Sequence, residues 1–264
     1  MKTGLNGVDS AMRERVRGVL RQLEEQHQVK VLYACESGSR GWGFASPDSD
    51  YDVRFLYVHK PEWYLRVEPQ RDVIELPVDN TLDVCGWEWR KALGLLKRAN
   101  PTLIEWLDSP VIYQQENVIT DLRESVPDWF SPLRARWHYL SMARKNFYSY
   151  LQGENVRLKK YFYVLRPLLA VQWIEAGKGA PPMRFEELLA GTVTDPLLLA
   201  EIDLLLARKQ RAGEAEYGER LDRIHAFIRQ QLDENRISED LPDSKRRDCR
   251  DLDALLMKTV LGTA

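Results

Sequence analysis

Cysteine is scarce in this chain of 264 residues: only Cys35, Cys85 and Cys249 occur, widely separated and without a CxxC pair. An odd set with no spacing pattern argues against a disulfide framework and for reduced thiols in a cytosolic setting. Cys35 and Cys85 lie inside strand-like runs and read as small buried thiols. Long apolar runs are also missing. No stretch approaches the ~20 apolar residues of a bilayer span, and no N-terminal segment resembles a signal peptide, so a soluble, cytoplasmic protein without a membrane partner is expected. Charge of one sign is missing as well. The 38 Lys and Arg residues against 40 Asp and Glu leave a net charge of −2, which gives no global attraction to nucleic acid, so any basic surface has to be local. His27, His59, His138 and His225 are scattered without metal-ligand spacing, and the chain has no P-loop, GxSxG elbow or Cys/His nucleophile context.

What remains is an ordinary globular composition, 44% hydrophobic and 30% charged, long enough for one large domain or two small ones. Val8, Met12, Val16, Val19, Leu20 and Leu23 recur at helical spacing and predict an amphipathic helix over about residues 8–26. A strand-like run, Val29–Cys35, then leads into a small-residue turn at Gly38-Ser39. Further on, Asp50 and Asp52 stand at i and i+2 at the head of another apolar run, Val53–Val58. Successive strand side chains point to opposite faces, so these two carboxylates share one. Like charges held that close repel unless a cation lies between them. Hard oxygen ligands of this kind suit Mg²⁺, which binds through a few carboxylates plus substrate phosphates. The stretch therefore reads as a site for metal-assisted phosphoryl or nucleotidyl transfer.

Extended segments are expected at Val73–Pro77 and Thr81–Trp87, separated by a turn at Val78-Asp-Asn80, with short helices at 88–99 and 101–108. Pro127 and Ser131-Pro132 mark a boundary. Beyond it helical periodicity covers about 133–152, 155–176, 184–190, 195–211, 214–233 and 250–261. The expected organisation is an α/β domain over 1–126 and a helical domain over 127–264, with the active site in the cleft between them.

The second half carries a local basic signal. Between Arg134 and Arg166 there are eight Lys or Arg residues, one acid (Glu154) and eight aromatics. Basic residues interleaved with rings suit a nucleotide or a single-stranded RNA end. On the helix expected over 155–176, Leu158, Phe162, Leu165 and Leu169 make the buried stripe. Lys159, Tyr163 and Arg166 form a neighbouring one, able to point a cation and a ring at a triphosphate and base; Lys160 is offset from it but within reach.

The Gly38-Ser39 turn followed by Asp50-x-Asp52 resembles the signature of the DNA polymerase beta-like nucleotidyltransferase superfamily. Three further blocks, Leu82–Leu93, Asn100–Leu107 and Leu158–Leu169, look like the RNA-repair-associated predicted nucleotidyltransferase family. The resemblance implies an α+β fold: a nucleotidyltransferase domain with a mixed sheet and flanking helices, followed by an all-helical domain. It implies that Asp50 and Asp52 bind Mg²⁺, or Mn²⁺, bridging the phosphates of an NTP, with ATP as the expected nucleotide. It also implies a third carboxylate on a later strand that binds metal and acts as base toward the acceptor hydroxyl. Asp83 fits that place, since it faces away from Leu82 and Val84 along a strand; Glu75, with the same alternation, is a rival. Gly38 and Ser39 would cradle phosphate through close backbone approach, N–H groups and a hydroxyl, with Arg40 and Ser49 as phosphate neighbours. The expected reaction moves a nucleoside monophosphate from the NTP to an acceptor hydroxyl, an RNA 3′ end being the leading acceptor. The alternatives are a small-molecule or protein acceptor, or a catalytically silent nucleotide- or RNA-binding module.

Overall fold

The computed structural model describes residues 8–77, 81–211, 216–234, 241, 243 and 248–262; the turn expected at 78–80 lies outside them. The first helix, α1 (Ser10–His27), is capped by Asp9, whose carboxylate accepts the Met12 N–H at 2.7 Å, and it ends on Gln28 in the left-handed conformation. It is followed by β1 (Val29–Glu36), the short α2 (Gly38–Trp42), β2 (Tyr51–His59), α3 (Pro61–Tyr64), β3 (Val73–Glu75) and β4 (Leu82–Glu88). Next come α4 (Trp89–Lys97), α5 (Pro101–Leu107), β5 (Ile112–Gln115) and α6 (Val118–Trp129). The remainder comprises α7 (Pro132–Tyr150), β6 (Asn155–Arg157), α8 (Lys159–Glu175), α9 (Phe185–Thr192), α10 (Pro196–Arg211), β7 (Tyr217–Glu219), α11 (Asp222–Glu234) and α12 (Arg250–Leu261). These elements fall into two compact units: Met1–Gly41, Asp50–Trp129 and Lys245–Ala264 in one, Trp42–Ser49 and Phe130–Ser244 in the other.

The first unit is built on a mixed five-stranded sheet in the order β3-β4-β2-β1-β5, in which only β2 and β4 run parallel. Val16, Leu20 and Leu23 of α1 bury against Val31, Val53, Phe55, Tyr57, Val84 and Val111. The helical spacing of the α1 residues and the alternation along the strands put these apolar groups on matching faces. Gly86 lies opposite Phe55 across the β2–β4 ladder, and a β-carbon there would fall 2.3 Å from ring atoms of Phe55. Glycine at this point makes room for the aromatic ring inside the sheet. On β4 the burial alternates, with Leu82, Val84, Gly86 and Glu88 buried and Asp83, Cys85 and Trp87 partly exposed. That alternation places Asp83 on the half-open face.

The second unit is organised around α8, which is buried almost all round: Tyr161, Phe162, Val164, Leu165, Leu168, Leu169 and Val171 are all inaccessible. The expected single stripe is therefore too narrow, as befits a helix at the centre of a core. Phe44 stacks on Phe162 with ring centroids 4.6 Å apart and meets Phe185 edge-on at 5.6 Å.

Two expectations are corrected. The helices expected over 155–176 and 214–233 begin later, at Lys159 and Asp222, because Asn155–Arg157 and Tyr217–Glu219 pair as an antiparallel ribbon with Val156 opposite Gly218; residues 214 and 215 lie outside the described ones. The second half is thus helical with one small ribbon. Pro127, where a boundary is expected, stands two residues before the end of a helix. It lies inside α6, which runs on to Trp129 at the cost of one backbone hydrogen bond. A new helix starts after Ser131, whose hydroxyl accepts the Arg134 N–H at 3.3 Å. No helix among the described residues is long and apolar enough to cross a membrane.

Candidate active site

The site is assembled where β1 ends and β2 begins. The Ser37 N–H donates to the Asp52 carbonyl at 2.8 Å, and the Gly41 N–H to Ser37 at 3.0 Å, so the Gly-Ser segment is tied down on the start of β2 as the first turn of α2. Gly38 has φ +54°, and a β-carbon on it would lie 1.9 Å from Asp52 Oδ2. Glycine is required twice over here, by the left-handed backbone and by the carboxylate pressed against it. Ser39 follows on α2, half-buried. Arg40 stacks 3.8 Å above the Tyr51 ring and donates from Nε to the Asp50 carbonyl at 3.2 Å.

Asp52 and Asp83 lie directly opposite one another in the parallel β2–β4 ladder. One nitrogen of Arg54, Nη2, donates to both: to Asp52 Oδ1 at 3.1 Å and Asp83 Oδ2 at 2.8 Å. Its other terminal nitrogen donates to the carbonyls of Val53 and Asp83, each at 3.1 Å. Burial works to lower the Arg54 pKa, but the Asp83 hydrogen bond and the charges of Asp52 and Asp83 outweigh it and raise it. Arg54 escapes a sequence reading. The signal available is its i+2 offset from Asp52, which sets both on one strand face; its second partner lies 29 residues further along.

Glu36 is the other residue the sequence leaves unassigned. It is wholly buried, Oε1 accepts the Asp52 N–H at 2.8 Å, and Oε2 takes the hydroxyl of Tyr113. Burial pushes its carboxyl up to about 7, against the pull of the Tyr113 and Asp52 donors. A glutamate ending the apolar run Val31–Cys35 is the visible cue.

The remaining expected residues are placed as follows. Asp50 is exposed and precedes Tyr51, the first residue of β2. Glu75 shares the face of Asp83 and Cys85, but it is exposed and paired with Arg71 at 2.7 Å. Among the described residues no three His, Cys, Asp or Glu are placed to hold a metal ion together. Two carboxylates converge, at Asp52 and Asp83. Their oxygens fit a hard divalent cation, and the positive charge now between them is the Arg54 guanidinium, a protein-borne stand-in.

In the second unit, Ser49 is buried, with its hydroxyl 2.9 Å from that of Ser46 and 3.4 Å from Lys209 Nζ. The Lys160 ammonium sits 3.9 Å over the Tyr150 ring and 4.7 Å over that of Tyr163, which in turn meets Trp42 edge-on at 5.7 Å. Arg166 joins this group from beneath. It is 3% exposed, lies 4.9 Å over Trp42, and donates from Nε and Nη2 to the Met183 carbonyl at 3.3 and 3.1 Å. Lys159, half-buried, opens α8. The arrangement brings Lys160 and Tyr163 together at the surface while Arg166 braces the ring below.

Comparison with known proteins bears on this geometry. A model of the RNA repair pathway DNA polymerase beta family matches residues 12–258. An uncharacterized protein of Bacillus subtilis strain 168, YcgL, is 47% identical over 253 residues, covering 94% of this chain and 96% of that one. A crystal structure of a nucleotidyltransferase-like protein from Exiguobacterium sibiricum 255-15 aligns over 95% of this chain and 76% of that one, with 13% identity and a TM-score of 0.32.

Proposed function

The chain belongs to the RNA repair pathway DNA polymerase beta family, and from that premise we propose that it is a Mg²⁺-dependent nucleotidyltransferase acting on an RNA 3′ end. The family supports nucleotidyl transfer in general. The observation that carries the proposal further is the in-register Asp52–Asp83 pair sharing one cation. Asp52 and Asp83 would hold the ion, which would neutralise charge on the nucleotide phosphates, with Asp50, exposed just ahead of β2, able to join only if it turned toward them. Asp83 accepts the proton of the acceptor hydroxyl. The acceptor oxygen bonds the α-phosphorus of ATP, and the bond to the leaving pyrophosphate breaks with its electron pair. Gly38 and Ser39 hold phosphate oxygens, with Arg40 beside them. The Lys160–Tyr163 cluster, itself basic and aromatic, suits the base and backbone of a nucleotide or RNA end.

The test is incubation with each α-labelled NTP, Mg²⁺ or Mn²⁺, and total cellular RNA. Label in RNA that disappears in Asp52→Asn supports the reading. Label only in a small molecule or protein moves the acceptor to those classes. A second reading, a silent nucleotide-binding module, draws on the absence of a three-acid cluster among the described residues. Nucleotide binding with no label in any species would establish it instead.

A further inference from the structure

An arginine placed between two acidic residues of a metal site is an unusual resident. Arg54 Nη2 lies 3.1 Å from Asp52 Oδ1 and 2.8 Å from Asp83 Oδ2. An ion held by those two oxygens would need both within ~2.1 Å, so guanidinium and ion would compete for the same space between Asp52 Oδ1 and Asp83 Oδ2. The side chains are partly shielded, at 18% exposure for Arg54, 27% for Asp52 and 33% for Asp83, so a second cation arriving there is screened less than one on the open surface. Two positive charges cannot share that space.

We propose that Arg54 is the resident counter-ion of the Asp52–Asp83 pair, that it and a divalent cation exclude one another from these carboxylates, and that the displaced guanidinium pairs with a nucleotide phosphate. The inference rests on the reading of Asp52 and Asp83 as metal ligands. In the metal-free protein Arg54 prevents carboxylate repulsion, and the two carbonyls holding Nη1 keep it there. When an ion enters, a half-buried guanidinium is left without its anions, and a planar donor fork of this kind is matched by phosphate oxygens. Metal and nucleotide binding are thereby coupled: each relieves a cost imposed by the other. Arg54 acts as a positioning residue that withholds the site from metal alone.

The experiment measures Mn²⁺ affinity by electron paramagnetic resonance, with and without a non-hydrolysable ATP analogue. It compares wild type, Arg54→Lys, Arg54→Gln and the double variant Asp52→Asn/Asp83→Asn. Without nucleotide, Arg54→Gln is expected to bind Mn²⁺ on the order of tenfold tighter than wild type. Arg54→Lys, which loses the fork but keeps the charge, falls between them and serves alone should Arg54→Gln not fold. The strengthening of Mn²⁺ binding by nucleotide, large in wild type, shrinks in both. In EDTA, Arg54→Gln melts below wild type, and Mn²⁺ raises its Tm by more. Equal or weaker Mn²⁺ binding in folded Arg54 variants, with binding lost in the double variant, overturns the counter-ion proposal alone. Unchanged Mn²⁺ binding in the double variant overturns the metal-site reading beneath it.

Discussion

Gly38 and Asp52 are in such close contact that a β-carbon on the glycine would fall 1.9 Å from the Asp52 carboxylate oxygen. Gly38→Ala must therefore push that carboxylate aside as well as force an alanine to φ +54°, a backbone cost of about 1–2 kcal/mol. A Tm several degrees below wild type is expected, together with a loss of nucleotidyl transfer of at least about tenfold, since displacing a reacting group by an ångström costs that much or more. Transfer at the wild-type rate in a melted-down variant would show that the Asp52 position is immaterial to the chemistry.

Asp83 and Glu75 were rivals for the third carboxylate, and their surroundings now separate them. Asp83 lies opposite Asp52 and shares Arg54 with it, whereas Glu75 is exposed and paired with Arg71. Asp83→Asn is expected to lower transfer by at least 100-fold, on the order of what a positioned acid or base contributes. Glu75→Gln should stay within about twofold, since an exposed ion pair contributes little. Comparing the two rates in the α-labelled assay decides the matter, and a large loss in Glu75→Gln with a small one in Asp83→Asn would reverse the assignment.

Glu36 links the site to pH. Its folded-state pKa of about 7 lies above the ordinary value of 4.5, so between the two the folded chain holds a proton that the unfolded chain releases. Its contribution to stability is full below pH 4.5 and is lost as pH rises through 7, amounting to ~3 kcal/mol at most. His59 runs the other way: burial, with the Arg66 and His27 charges, lowers it to about 4, so its contribution is present above 6.5 and lost as pH falls toward 4. Denaturant titrations of wild type and Glu36→Gln between pH 4.5 and 8 share the His59 effect, which cancels. The wild type should lose stability relative to the variant across that range; parallel curves would contradict the buried, proton-holding glutamate.

The contrast between Asp52 and Arg54 shows what a sequence can disclose about this molecule. Alternation along Tyr51–His59 is a local property, and the expectation that Asp50 and Asp52 share a face follows from such spacing alone, although Asp50 lies just ahead of the strand. The register that sets Asp83 beside Asp52 is not local, because it depends on how two strands 30 residues apart align. Arg54 therefore reads as an ordinary solvent-facing strand residue until Asp83 is beside it. Glu36 depends likewise on Tyr113, and the burial of Arg166 on the Met183 carbonyl. The β6–β7 ribbon escapes for a related reason: three-residue strands carry no periodicity of their own, and their partner is some 60 residues distant. The helices α1, α4, α5 and α12, whose apolar spacing is self-contained, lie within two residues of where that spacing puts them.

Lys160 provides the most direct test of an RNA contact in the second unit. Its ammonium lies over the Tyr150 and Tyr163 rings, and Tyr150 is 48% exposed. Lys160→Gln should leave the Tm within a degree or two, remove about one phosphate contact, and lower the slope of log affinity against log salt for single-stranded RNA by roughly one. Tyr163→Leu should weaken binding with little change in that slope, because stacking on a ring is not an exchange of counterions. Arg166→Gln is different in kind: its guanidinium is buried on the Met183 carbonyl and beneath Trp42, so the loss should register mainly as a lower Tm. Fluorescence anisotropy with a labelled oligonucleotide at several salt concentrations separates the three, and an unchanged slope in Lys160→Gln would remove this cluster from the RNA-binding surface.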